Sequence, residues 1–194
     1  MKSMLRFCII LFFIHMLIND LFSADIKRNM VFIPNGKYIP LFKYKDNNFG
    51  YEIFVKKFLI DKYPVTNNDF KYFLSKNNLW NKNAASAIFV DKGYLSHWEE
   101  SNFDDIKNYP VVNVSWFAAE AYCAFFNTRL PTIDEWEYVA SASAKNPVGM
   151  NDKNYLQDIL DWYINSQVKN LCDISSMKQN YWGIFGMHGI IWEH

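Results

Sequence analysis

The sequence has few residues of the kinds that bind metals. Its 194 residues include three cysteines, at positions 8, 123 and 172, and four histidines. His97, beside Glu99 and Glu100, suggests a metal site, but no second His or Cys lies at ligand spacing. We therefore expect a surface loop here that Trp98 packs against the protein.

The sequence also lacks an excess of charge of either sign. Lys and Arg together number 20, as do Asp and Glu, and without residues 1–24 the formal net charge is minus one. The sequence therefore has no excess of positive charge that would attract nucleic acid or an anionic membrane. Aromatic residues are abundant, at 19%. Because they are spread along the chain, they favour a packed core over a ligand platform.

Long hydrophobic runs are missing except near the start. Residues 7–18 are almost wholly apolar and follow a short basic segment, but the run is shorter than the roughly 20 residues of a membrane span. Ser23 and Ala24 offer small residues for cleavage. We predict a signal peptide over 1–24, followed by one domain over 25–194; an uncleaved anchor remains the alternative, since Leu21 and Phe22 are large.

Two capped helices are predicted in the stretch 109–141. Ser115 occupies an N-cap position before a helix from Trp116, and Asn127 is a left-handed terminator. Thr132 and Glu135 have capping-box spacing before a second helix, over about 133 to 141. The apolar stripes expected to be buried are Trp116, Ala119, Cys123 and Phe126 in the first helix, and Ile133, Trp136 and Ala140 in the second.

Strands are predicted nearer the N-terminus. Residues 30–38 predict a strand, a turn and a returning strand, because Asn35-Gly36 is a strong signal for a tight hairpin. A further strand is expected from Tyr51 to Asp61. Thr66 and Asp69 then have capping-box spacing before a helix whose expected buried residues are Phe70, Phe73 and Leu74.

The sequence motifs of the stretch 109–141 resemble those of a known family. The matching pieces, in order, are Val-Val-Asn-Val-Ser-Trp (111–116), Ala-Tyr-Cys (121–123), Arg-Leu-Pro-Thr (129–132) and Glu-Trp-Glu-Tyr (135–138). They resemble the formylglycine-generating enzymes, also called sulfatase-modifying factors. The resemblance implies an α+β fold, a variant of the C-type lectin fold with small twisted antiparallel sheets, two or three packed helices and a high loop content. Within it, Ser115, Cys123, Thr132, Glu135, Trp136 and Trp192 are expected to be structural.

The last residues, 180–194, resemble the family's Asn-x-x-Gly-Leu-Tyr-Asp-Met-x-Gly-Asn-Val-Trp-Glu-Trp signature. In relatives this turn helps to bind calcium, and the corresponding positions here are Gly186, Gly189, Ile191 and Glu193. Gly186 has no side-chain oxygen, so the resemblance implies at most a degraded calcium site at Gly189, Ile191 and Glu193. The alternative is that Gly189 permits a tight turn, Trp192 packs in the core and Glu193 makes hydrogen bonds.

The resemblance also implies copper chemistry, for which this sequence has no matching residues. Formylglycine-generating enzymes hold Cu(I) with two cysteines in a further C-terminal segment, since thiolates are soft ligands. The 194 residues stop at His194 before that segment, so we expect a truncated domain or fragment with no catalytic residues of its own. Cys123 and Cys172 are a poor copper site, although export would permit a disulfide between them.

Two functions follow as hypotheses. The chain is either related to enzymes that oxidise a sulfatase cysteine to formylglycine, and inactive as given, or a non-catalytic binding or accessory module of the same fold. Its partner would be a sulfatase-type polypeptide or another exported protein, in the periplasm or outside the cell.

Overall fold

A computed structural model describes residues 28–40, 51–165 and 171–188. Within these ranges the strands are β1 (Met30–Ile33), β2 (Gly36–Tyr38), β3 (Ile53–Val55) and β4 (Phe58–Asp61). The α-helices of the same ranges are α1 (Asn67–Lys76), α2 (His97–Glu100), α3 (Phe103–Ile106), α4 (Trp116–Phe125), α5 (Ile133–Ala140) and α6 (Tyr155–Asn165), with single 3-10 turns at Asn78–Trp80, Gly149–Asn151 and Ile174–Ser176. This is the expected α+β class, with small antiparallel sheets and packed helices. None of the helices within the described ranges combines the length and apolar character that a membrane crossing requires.

The four strands form two short antiparallel sheets that share one register, and the two sheets are together called the ladder, with a gap between them. β1 pairs with β4 and β2 with β3, and the register is the same on both sides of the gap, since Ile33 faces Phe58 and Gly36 faces Val55. Pro34, which has no N–H to donate, lies in the gap. The chain therefore passes from the first sheet to the second through residues 34 and 35 instead of turning back there.

The tight hairpin predicted at Asn35-Gly36 is thus wrong. A Cβ on Gly36 would lie 2.1 Å from Oη of Tyr138 in α5, so the glycine is required by the close approach of that ring. The local turn signal and a close tertiary contact select the same residue type for different reasons.

The helix starts lie where the sequence places them. Ser115 Oγ accepts a hydrogen bond from the amide of Ala118, and Thr132 and Glu135 form a capping box at α5. Asn127 has a φ of 55°, in the left-handed region. Thr66 and Asp69 form a second capping box at the start of α1.

The predicted buried faces are only partly correct. Trp116 and Ile133, the first residues of α4 and α5, are 47% and 63% exposed. The residues that these two helices do bury are Ala118, Tyr122 and Cys123 in α4, and Tyr138, Val139 and Ala140 in α5. Phe70, Phe73 and Leu74 of α1 are buried as expected.

Among the described residues, the buried side chains form two hydrophobic clusters. The sheet cluster joins the inner faces of the ladder to α5 and to Ile184 and Met187. The helix cluster joins α1 and α4 to Tyr94 and Leu95. In the helix cluster, the ring of Phe70 stacks on that of Tyr122 with centroids 5.7 Å apart.

Asn67, which is fully buried, connects α1 to the segment 97–110. Its Nδ2 donates to the carbonyls of Ile106 and Tyr109 at 2.9 and 3.3 Å. Its Oδ1 accepts from Trp98 Nε1 at 2.7 Å and lies 2.8 Å from His97 Nε2. Since an indole nitrogen only donates, the atom facing it is the amide oxygen, and His97 Nε2 must therefore carry a proton.

Replacing Asn67 by Ala should destabilise the fold strongly. The change removes a hydrogen-bond acceptor from the side chains of His97 and Trp98 and a donor from the carbonyls of Ile106 and Tyr109. We therefore expect the free energy of unfolding to fall by about 2 to 4 kcal/mol. Urea denaturation followed by tryptophan fluorescence measures this. Asn81→Ala is the matched control, because that side chain bonds only to the exposed Asn78. Equal effects of the two substitutions would contradict the role of Asn67.

The stability of the fold should depend on His97 in mild acid. Burial, and secondarily the charge of Lys82, lowers the pKa of His97 to about 4. In the unfolded chain the pKa is about 6.5, so this histidine binds fewer protons when folded, and its contribution to stability is lost as the pH falls from about 6.5 towards about 4. The difference in free energy of unfolding between the wild type and His97→Gln should shrink over that range. A difference that is constant with pH would contradict the assignment.

Candidate functional site

A partly open apolar cavity of about 430 Å³ lies between the two hydrophobic clusters. Members of both clusters line it, including Ile184 and Met187 from the sheet cluster and Phe70 and Tyr122 from the helix cluster. All four residues of β4 also line it. The volume falls in the range of ligand-binding pockets in proteins.

Arg28 closes one part of the cavity rim. Its guanidinium forms an ion pair with Asp61 at the end of β4, and its Nη1 donates to Thr128 Oγ1 at 3.1 Å. The same group lies over the rings of Tyr122 and Phe126, at 5.5 and 5.1 Å from their centroids. Arg28 thereby ties the start of the ladder to the end of α4, and its charge is balanced within the protein.

Arg129 forms a second balanced pair on the rim. Its two terminal nitrogens donate to the two oxygens of Glu135 at 2.7 and 2.6 Å. Glu135 also accepts from the amide of Thr132 at 2.8 Å. The hydrogen bonds from Arg129 and then from Thr132 lower the pKa of Glu135, although its partial burial opposes them. The carboxylate is therefore ionised, and its hydrogen bonds fix the start of α5 to the preceding loop.

Cys123 lines the cavity from α4 but is not an activated nucleophile. Its side chain is buried, and burial raises the pKa of its thiol against the opposing effect of Arg28. The group is therefore a neutral thiol near pH 7, whereas reactive cysteines are thiolates. Cys123 and Cys172 are both free thiols, so the structure does not contain the disulfide that export would permit.

The C-terminal motif folds back on α5. Asn180 Nδ2 donates to the carbonyl of Val139 at 2.9 Å, and its Oδ1 accepts from the amides of Trp182 and Ile184. His188 Nε2 lies 2.6 Å from the carbonyl of Ala140, and burial lowers the pKa of this histidine. These contacts give the motif a packing role over residues 180–188.

Gly186 of this motif has no side-chain oxygen that could bind calcium. This residue has a φ of 76°, and a side chain added there would lie 2.8 Å from Sδ of Met177, so the position suits only glycine. Gly189, Ile191, Trp192 and Glu193 lie outside the described residues. Within residues 28–40, 51–165 and 171–188, no three His, Cys, Asp or Glu side chains are grouped to hold a metal ion.

The structure brings together only some of the residues that the sequence singled out. Cys123, Glu135 and Trp136 line the cavity, whereas Ser115 and Thr132 are absent from its lining and cap helices. His97 bonds to Asn67 and packs against Trp98, with ring centroids 6.0 Å apart, as part of the fold. Sequence reasoning missed Arg28, Asp61 and β4 as parts of the cavity, because their arrangement depends on pairing between distant segments.

Comparison with known proteins places this architecture in a family. The family model described as the Sulfatase-modifying factor enzyme 1-like domain matches residues 20–194. The chain is 31% identical to the Inactive C-alpha-formylglycine-generating enzyme 2 of Mus musculus over 151 residues, which cover 61% of this chain and 49% of that protein. It is 25% identical to the Formylglycine-generating enzyme of Mus musculus over 180 residues, which cover 72% of this chain and 48% of that protein.

A further likeness involves a protein with a different name. The chain is 25% identical over 184 residues to the Serine/threonine-protein kinase pkn1 of Chlamydia caviae, covering 84% of this chain and 27% of that protein. The chain thus spans about half the length of the two mouse relatives and about a quarter of the chlamydial one. Because the family model matches nearly the whole sequence, the chain belongs to the family of the sulfatase-modifying factor enzyme 1-like domain.

Proposed function

We propose that this chain is an exported sulfatase-modifying-factor domain that does not oxidise cysteine and acts as a binding or accessory module. The partner is a polypeptide, either of the sulfatase type or another exported protein. The basic segment and apolar run at the start of the sequence support export.

The state of Cys123 is the observation that carries this proposal. Copper-dependent formylglycine formation, as the family resemblance implies it, needs a pair of thiolates that bind Cu(I). The two cysteines after residue 24 are Cys123 and Cys172. Burial keeps the Cys123 thiol neutral, and its surroundings are the rings and aliphatic groups of the cavity. The residues of this chain therefore do not fit a copper ion.

The surroundings of the cavity favour binding over catalysis. The two arginines on the rim are each paired with a carboxylate, and Glu135 is held ionised by Arg129. A general acid or base requires a group with a pKa near the working pH and within reach of a substrate. An apolar cavity with a neutral rim instead suits a ligand that is held by burial of apolar groups.

The names of the relatives are in keeping with this proposal without deciding it. One of the two mouse proteins is named as an inactive formylglycine-generating enzyme and the other as the enzyme itself. Their identities to this chain, 31% and 25%, are close to each other. The chemistry of the cavity therefore carries more weight than either name.

The proposal is tested by assaying residues 25–194 with Cu(I), oxygen and a peptide that contains the sulfatase cysteine motif. Mass spectrometry should show no formylglycine, because the chain does not present a reactive thiolate pair. The mouse formylglycine-generating enzyme under identical conditions is the positive control. Product formed by this chain, and lost in a Cys123→Ser variant, would show that the proposal is wrong.

A further inference from the structure

Arg28 lies on the rim of the cavity beside Cys123. Both residues line the cavity, and only 14% of the Arg28 side chain is exposed. Burial raises the pKa of the Cys123 thiol, whereas the charge of Arg28 lowers it, so the guanidinium is within electrostatic reach of the sulfur. Arg28 is therefore the charged rim residue that is next to the buried thiol.

The contacts of Arg28 divide between two parts of the fold. On the ladder side, the guanidinium pairs with Asp61 at the end of β4. On the helix side, it donates to Thr128 at 3.1 Å and lies over the rings of Tyr122 and Phe126. One side chain thus bridges the rim of the cavity, from the ladder to the C-terminal end of α4.

The ladder-side contact is the stronger of the two. Arg28 Nε donates to one oxygen of Asp61 at 3.1 Å, and Nη2 donates to the other oxygen. Such bidentate pairs between arginine and a carboxylate are among the strong polar contacts in proteins. The helix-side contacts are one hydrogen bond to a hydroxyl and two contacts with ring faces, each of which is weaker.

The backbone also ties Arg28 to the ladder. Pairing in the ladder extends to Asn29, whose carbonyl accepts from the amide of Lys62 at 2.8 Å. Arg28 and Asp61 are the chain neighbours of these two residues, so they move with the same sheet. If the ladder and α4 separate slightly, the ion pair stays intact and only the helix-side contacts break. Arg28 keeps its counter-charge in both arrangements, and no unpaired charge is left behind.

We propose that Arg28 is a strap that controls access to the part of the cavity beside Cys123. In the closed state it bridges Asp61 and the end of α4. In the open state it remains on Asp61 and releases Thr128 and the two rings, which admits an apolar group to the cavity. This inference rests on the proposed function as a binding module and adds how its cavity opens and closes.

Arg129 provides a matched control on the same rim. It also pairs with a carboxylate, that of Glu135, and it donates to the carbonyl of Leu130. These partners lie within six residues of Arg129 in the sequence, so its bonds do not hold the ladder to α4. The loss of Arg129 should therefore leave the strap in place.

The test measures the rate at which Cys123 reacts with dithiodipyridine, an uncharged disulfide reagent. Residues 25–194 with Cys172→Ser contain Cys123 as their one thiol. Arg28→Met removes the strap and should raise the rate by about tenfold or more. Thr128→Val removes one helix-side contact and keeps the ion pair, so it should raise the rate by a smaller factor. Arg129→Met should leave the rate unchanged.

The wild-type rate in low urea shows how the thiol is reached, and this measurement needs no substitution on the rim. Opening of the strap exposes little surface, so the rate should hardly change with urea below the unfolding transition. Reaction through global unfolding would instead rise steeply with urea, in proportion to the much larger surface that unfolding exposes.

Three results would overturn the proposal. A wild-type rate that rises with urea as steeply as global unfolding would mean that the strap does not open in the folded protein. Equal rates for Arg28→Met and Arg129→Met would mean that Arg28 does not control access. If Arg28→Met fails to fold, an unchanged rate in Thr128→Val is decisive against the strap. These outcomes are independent of the formylglycine assay, so failure here leaves the proposed lack of catalysis standing.

Discussion

The pairing of residues 30–38 with 53–61 in a single register is the constraint on which the rest of the structure depends. It turns the inner side chains Ile33, Tyr38 and Val55 towards α5 and so creates the sheet cluster. It also sets the hydrogen-bond phase of β4, because the bonded pair Asn29–Lys62 fixes which amides of β4 point towards β1.

Polar contacts connect segments of the fold that are distant in the sequence. Arg28 connects the ladder to α4 through Asp61 and Thr128, and Asn67 holds α1 to the segment 97–110. Such buried or half-buried polar contacts specify geometry because each leaves an unpaired group if the elements shift. The cavity between the clusters is therefore a defined part of this fold. Its thiol is inert and its charges are balanced, which is why binding is the function that we propose.

Local features were predictable from the sequence, whereas long-range ones were not. The helix starts at Trp116 and Ile133 depend on a cap residue and on its hydrogen-bond partner within one helical turn. A few consecutive residues are therefore enough to predict them. The burial of the same two side chains depends on how each helix meets the core, and the sequence pattern predicted it wrongly. Gly36 looked like a turn residue because the ring of Tyr138 that requires it is distant in the sequence. The family motifs are local as well, and they identified the fold; the pairing of β4 with β1 depends on register, which no motif encodes.

The central claim is that β4 pairs with β1 in the register on which the rest of the fold depends, and amide hydrogen exchange tests it most directly. Phe58 and Ile60 belong to bonded pairs with β1, so their amides point towards it, whereas those of Leu59 and Asp61 point away from it. The account predicts slow exchange at Phe58 and Ile60, since protection requires a hydrogen bond that opens only by unfolding. Fast exchange at both of these amides would contradict it.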